Sequence, residues 1–178
     1  VIMPYRAIVP ISLGVISQSF REGDMANIEM VHKKSSLNGL LVGLAAFFLI
    51  FINLDSFFIL RPDFEGARWV FFFLGLAYLF DISNGLNSQI MIISKHYRID
   101  LYIHLALLAM ALATNFWLIP ILGEVGAALA TTISVLFYNM VRTLFLWRKF
   151  RIQPFSWKTA QLLGITVLAL FAGMIIPK

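Results

Sequence analysis

The 178-residue chain is predicted to be all-α, a polytopic membrane helix bundle of about six transmembrane helices. Three observations predict it: an excess of apolar residues, long uncharged runs, and basic residues gathered in alternate connections. Hydrophobic residues make up 60% of the chain and charged residues 13%, with a mean hydropathy of +0.86. Such a chain cannot cover itself with the polar surface that a water-soluble domain needs. It has no cysteine, which excludes a disulfide framework and a thiolate metal site.

A membrane helix needs about 20 apolar residues to cross about 30 Å of hydrocarbon. Five runs meet or approach that requirement, at about 37–54, 67–94, 101–119, 125–146 and 159–176. A sixth, at 1–20, begins in apolar sequence without Met and carries Pro4, Pro10 and Gly14, so it reads as the end of an incomplete helix bent at its prolines. The chain is accordingly expected to be a piece of a longer protein. Its start lacks the charged segment and cleavage site of a signal peptide. Between the first two runs, Arg21 to Ser36 is polar and is expected to be a cytoplasmic connection with a short helix of its own.

The segment 115–134 is predicted to be a tight helix hairpin. Pro120 cannot continue a helix without losing a hydrogen bond, and Gly123 supplies the backbone freedom for a reversal. Beyond the corner, Gly126, Ala130 and Ser134 recur every fourth residue, a small-residue face that lets two helices approach closely in lipid. That face is a packing motif and carries no chemistry.

Ten of the fourteen basic residues, Arg21, Lys33, Lys34, Lys95, Arg98, Arg142, Arg148, Lys149, Arg151 and Lys158, fall in or beside alternate connections. The positive-inside rule puts 21–36, 95–100 and 147–158 in the cytoplasm. The net charge of +5 then reflects orientation and contact with anionic head groups, and no nucleic-acid partner is expected. The corner at Pro120 and the acidic loop 55–65 face outward. Trp69, Trp117, Trp147 and Trp157 stand near helix ends, as anchors in the head-group layer. The stretch 148–157 is an interfacial connection in which Pro154 restarts the chain.

A charge at the bilayer centre costs at least about 2.5 to 3.5 kcal/mol, so intramembrane charges mark functional candidates. Asp81 lies within the run 67–94, with Asn84, Ser88 and Lys95 continuing along one helical face and Gly85 beside it. Either this stripe faces a path, or a basic residue on another helix neutralises Asp81 and fixes helix rotation. Arg6 shares a face with Ser17, and Arg142 with Thr131, Ser134 and Tyr138. Both arginines have snorkelling to an interface as the simpler alternative, which is favoured for Arg142. His104 is expected at an interface, and His32 and His96 in loops.

No catalytic constellation is visible: neither paired intramembrane carboxylates, nor a His-x-x-x-His pair, nor a phosphate loop, nor a nucleophile elbow. The chain is therefore expected not to be an enzyme and to hold no metal. Polar stripes on helices packed by small residues suit a transporter whose bundle moves around a hydrated cavity.

The run Asn115-x4-Pro120-x2-Gly123-x2-Gly126-Ala-Ala-x-Ala-Thr131 resembles the C-terminal half of bacterial polysaccharide flippases. Phe80-Asp-Ile-Ser-Asn-Gly-Leu-Asn-Ser-Gln89, Tyr138-Asn-x-x-Arg142 and Gln153-Pro-Phe155 carry the same likeness. Those flippases belong to the multidrug/oligosaccharidyl-lipid/polysaccharide exporter superfamily. The resemblance covers essentially the whole chain. It implies a two-lobed transporter of twelve or fourteen helices in the bacterial inner membrane, of which this chain supplies most of the second lobe and on its own transports nothing. It also implies alternating access for a polyprenyl-diphosphate-linked oligosaccharide, with Arg6 attracting the pyrophosphate and Asn84 or Ser88 hydrogen-bonding sugar. No cofactor is implied beyond proton or sodium coupling, for which Asp81 is the candidate. The competing readings are a multidrug efflux transporter of the same superfamily, a membrane-embedded glycosyl- or acyltransferase, and a structural membrane subunit.

Overall fold

The computed structural model describes residues 3–64 and 66–175, and all regular elements among them are helices. Helix α1, Met3–Glu22, ends at Gly23, whose φ of 74° lies in the left-handed region that glycine adopts without strain. Asp24 then caps α2, Met25–Ile52, accepting a hydrogen bond from the Asn27 amide at 2.9 Å.

The stretch expected to be a separate cytoplasmic connection is, from Met25 onward, the start of this 28-residue helix. Glu29 and Lys33 pair at 2.5 Å one turn apart, and Ile28, His32, Ser35 and Ser36 are buried. The charges on this segment mark one helical face and not a break. His32, expected in a loop, is fully buried within α2.

The connection after α2 is partly helical, with α3 at Leu54–Leu60 and a 3₁₀ turn at Pro62–Phe64. Asp55 pairs with Arg68 across it.

The expected long run 67–94 is two helices, α4 at Ala67–Ser83 and α5 at Asn87–Ile93, inclined at 47°. The cause is local. Asn84 closes α4, its side-chain amide donating to the Phe80 carbonyl at 2.7 Å, and Gly85 follows with a φ of 58°. Asp81, Asn84, Ser88 and Lys95 therefore do not form one helical stripe: they lie in α4, at its cap, in α5 and after α5, respectively.

Helix α6, Tyr97–Phe150, is a hairpin whose arms, 97–122 and 124–150, meet at Gly123 (φ 56°, ψ −132°). Contacts between the arms step away from the corner in register. A Cβ on Gly126 would overlap the Leu118 carbonyl, Thr114 Oγ1 lies 3.4 Å from Ser134 Oγ, and Tyr138 meets His104. Ala130 and Ser134 are buried, while Pro120 sits exposed beside the reversal. Arg151 ends the helix in a left-handed conformation, residues 151–156 are non-helical, and α7 runs Trp157–Ile175.

Two apolar clusters hold these elements together. One joins α1, α2, α5 and α6 through Ile16, Ile28, Ile90 and Leu146, and the other joins α2 to α4 through Leu40, Phe47 and Leu79. Gly75 makes room for the Phe47 ring, which stacks on Phe71 at 5.8 Å. Side-chain hydrogen bonds to carbonyls on another helix pin the α4 packing: Ser36 donates to Ser83 O at 2.5 Å, and Thr132 to Phe73 O at 3.0 Å. Helices α2 and α6 are long and apolar enough to cross a membrane, and α4 with α5 makes a third span if the bent pair crosses as one.

Candidate functional site

The break between α4 and α5 positions the site. Asn84 is only 2% exposed, and its Oδ1 accepts from the Thr143 hydroxyl at 2.6 Å. Thr143 Oγ1 in turn accepts from the Asn87 amide at 2.8 Å. On the other side of the break, His32 Nδ1 accepts from the Leu86 backbone N–H at 3.0 Å, so the neutral ring carries its proton on Nε2. The interrupted helix thus has its loosened backbone and cap side chains tied to α2 and to the second arm of α6. The His32 ring thereby satisfies the buried Leu86 N–H, which would cost about 1–3 kcal/mol if left unpaired, while its own Nε2 is buried without a hydrogen-bond partner among the described residues.

Beside the break lies a cavity of about 310 Å³ lined by Phe80, Asn84, Met140, Thr143, Leu144, Trp147, Gln153 and Phe155. Its residues come from α4, the second arm of α6 and the link at 151–156. The walls are aromatic and apolar, and the polar groups are uncharged amides and a hydroxyl. Chemically, that set suits a polar, uncharged ligand with apolar ring faces. Trp147, expected to be a head-group anchor, lines this cavity and is 47% exposed.

One turn back along α4, Asp81 accepts from the Asn139 side-chain amide at 2.9 Å. Its hydrogen-bond partner is this amide and not the basic residue that neutralisation on another helix called for. Arg142 does not snorkel: it is 3% exposed and forms a buried ion pair with Asp100, Nε–Oδ1 2.8 Å and Nη2–Oδ1 2.5 Å. Its guanidinium also lies 4.0 Å above the Tyr138 ring. His104 donates from Nδ1 to the Asp100 carbonyl at 2.8 Å, which leaves Nε2 to accept from the Tyr138 hydroxyl at 3.2 Å. Expected as an interfacial residue, His104 belongs to this cluster through its ring edge, although its side chain is 48% exposed.

The sequence-predicted residues are thus divided. Asn84 lines the cavity, Asp81 is hydrogen-bonded to Asn139, Arg142 is paired with Asp100, and Ser88 lies on α5 beyond the break. Arg6 is on α1, but its side chain lies outside the described residues. Pro120, Gly123, Gly126, Ala130 and Ser134 belong to the hairpin contact.

Sequence reasoning did not single out Asn87, Thr143 or the Asp100–Arg142 pair. A signal for the last was present: positions 100 and 142 are nearly equidistant from the corner at 120–123, so an antiparallel hairpin brings them together. Among the described residues, no three His, Cys, Asp or Glu side chains converge as a metal site would require. Comparisons with protein-family models, with curated proteins and with solved structures find no match to this chain.

Proposed function

We propose that the chain is the second lobe of a multi-pass transporter that moves a lipid-linked oligosaccharide across the bacterial cytoplasmic membrane by alternating access. The observation that carries the reading is the cavity at the α4–α5 break. Discontinuous helices are a recurring way to build a transporter's binding site, because a broken span exposes polar groups where lipid would not tolerate them. Here the break opens onto an aromatic, amide- and hydroxyl-lined space. The apolar face of a sugar ring stacks on an indole, while the exposed Gln153 amide exchanges hydrogen bonds with its edge.

The site also brings together residues from two of the sequence segments behind the flippase resemblance, Phe80 and Asn84 from one and Gln153 and Phe155 from the other. In this reading the polyprenyl tail stays in lipid and the helices rock around the glycan. Asp81, hydrogen-bonded to Asn139 and one turn from Asn84, couples the cycle to a proton or sodium ion. The basic segments 21–36, 95–100 and 147–158 face the cytoplasm.

The competing readings fit the geometry less well. A multidrug exporter for cationic drugs needs a carboxylate in the cavity wall, yet Asp100 is buried against Arg142 and neither Asp100 nor Asp81 lines the cavity. A transferase would draw on Asp100 and His104, but the acid is 4% exposed and its charge is already paired.

Export of surface polysaccharide by the full-length protein, at matched protein level, tests the proposal. Trp147→Ala and Gln153→Ala are each expected to reduce export about tenfold, equivalent to about 1.4 kcal/mol of lost ligand contact. Asp81→Ala and Asp81→Asn are expected to reduce it as well, while Trp117→Ala, at the outer corner, keeps wild-type export. Wild-type export from the Trp147 and Gln153 variants, or equal losses for both tryptophans, contradicts the proposal.

A further inference from the structure

A second cleft lies between α2 and the start of α7, at the basic end of the bundle. It has a volume of about 400 Å³ and is lined by Lys33, Lys34, Lys158 and Ser156 together with apolar Met30 and Leu37. Glu29 is the acid in this lining, and it is spent on Lys33 at 2.5 Å. Lys34 and Lys158 are exposed on opposite walls.

We infer that this cleft binds the head group of an anionic phospholipid carrying two phosphates, such as cardiolipin, in the cytoplasmic leaflet. The inference rests on the membrane reading of the chain and is independent of what the cavity at the α4–α5 break carries.

Three features select a lipid over a dissolved anion. First, with Lys33 paired to Glu29, Lys34 and Lys158 remain, among the described residues, as two unpaired cations, more charge than one phosphodiester balances, and lysine binds phosphate as a compact charge without requiring a fixed fork geometry. Second, the cleft continues into apolar helix surface on both walls. On α2, Leu37 is followed one turn later by exposed Leu41, and on α7, Lys158 is followed two turns later by exposed Ile165. A phosphate held by the lysines would leave its acyl chains lying along these faces. Third, Trp157 is 78% exposed next to Lys158, and an indole at that position suits the head-group layer. Basic pockets between helices on the cytoplasmic side are a recurring setting for such head groups.

The test uses full-length protein extracted from membranes into neutral detergent, with thermal unfolding followed during titration with cardiolipin, phosphatidylcholine or inorganic phosphate. Cardiolipin is expected to raise the unfolding midpoint at concentrations where phosphatidylcholine has no effect. The double variant Lys34→Gln/Lys158→Gln is expected to weaken the apparent affinity about tenfold or more, at about a factor of five per lysine near the surface. Arg148→Gln/Lys149→Gln removes the same charge elsewhere on the basic end and is expected to leave it within about twofold. Equal response to both lipids, or equal loss in both double variants, overturns the proposal. Stabilisation by inorganic phosphate with the same lysine dependence overturns the lipid assignment and makes the cleft a phosphate site. Recovery of the wild-type protein in the soluble fraction after alkaline carbonate washing is instead a failure of the membrane reading itself.

Discussion

Arg142→Met alone is expected to destabilise the full-length protein by about 3–5 kcal/mol, because it leaves the Asp100 carboxylate buried without its partner. Asp100→Leu alone should cost about the same, since it strands a guanidinium that is 3% exposed. The double variant Asp100→Leu/Arg142→Met is expected to recover most of the loss. Both charges and their desolvation are then gone, and the helices can pack apolar side chains instead. His104→Ala should matter less, by about 1 kcal/mol, because its side chain is 48% exposed and its hydrogen bonds, to the Asp100 carbonyl and from Tyr138, are neutral ones. The measurement is reversible unfolding in mixed micelles, compared across the wild type and the four variants. A single-variant cost below about 1 kcal/mol would mean that water reaches the pair and that it behaves as a surface ion pair.

Gly126→Ala is expected to cost about 1–3 kcal/mol by forcing the arms of α6 apart. The added Cβ would overlap backbone, the Leu118 carbonyl, which has no rotamer to move to. Separation of the arms would also loosen the contacts further along, Thr114 to Ser134 and His104 to Tyr138. Gly164→Ala is the matched comparison. Among the described residues no heavy atom outside the local helix backbone lies within 4 Å of the Cβ position there, so the change should be neutral or stabilising by up to about 1 kcal/mol through helix propensity. Similar effects of the two substitutions on the unfolding midpoint would remove the close approach at Gly126 from the account.

What the sequence disclosed and what it concealed have physical reasons. Apolar runs disclose helices, and the Pro120–Gly123 corner disclosed a reversal, because both signals are local. The polar stretch 21–36 misled because hydropathy reports the surroundings of a helix and not its continuity. Gly23 followed by Asp24 was the better signal for where α2 begins. Asn84-Gly85 is a turn former in an apolar window, and the window's hydropathy hid it. Pairings between distant helices, such as Asn139 with Asp81 or His32 with Leu86, depend on helix rotation, which apolar composition leaves unspecified. The cavity was therefore only partly legible: Asn84 could be singled out as polar in an apolar run, whereas Trp147 and Gln153 looked like interface residues until the fold placed them beside it.

Under the proposed function, the space at the α4–α5 break is expected to be reached by water while the apolar faces around it meet lipid. The chain has no cysteine of its own, so single cysteines can be introduced into it and challenged with a membrane-impermeant thiol reagent in inverted membrane vesicles. Met140→Cys and Thr143→Cys, which line the cavity, are expected to react, and added lipid-linked oligosaccharide is expected to slow them. Leu105→Cys lies at similar depth on the facing arm, one residue beyond the His104–Tyr138 contact, with its side chain exposed on the apolar exterior. It is expected to stay unlabelled. Unreactive cysteines at both cavity positions, or labelling at Leu105 as fast as at Met140, would contradict the account.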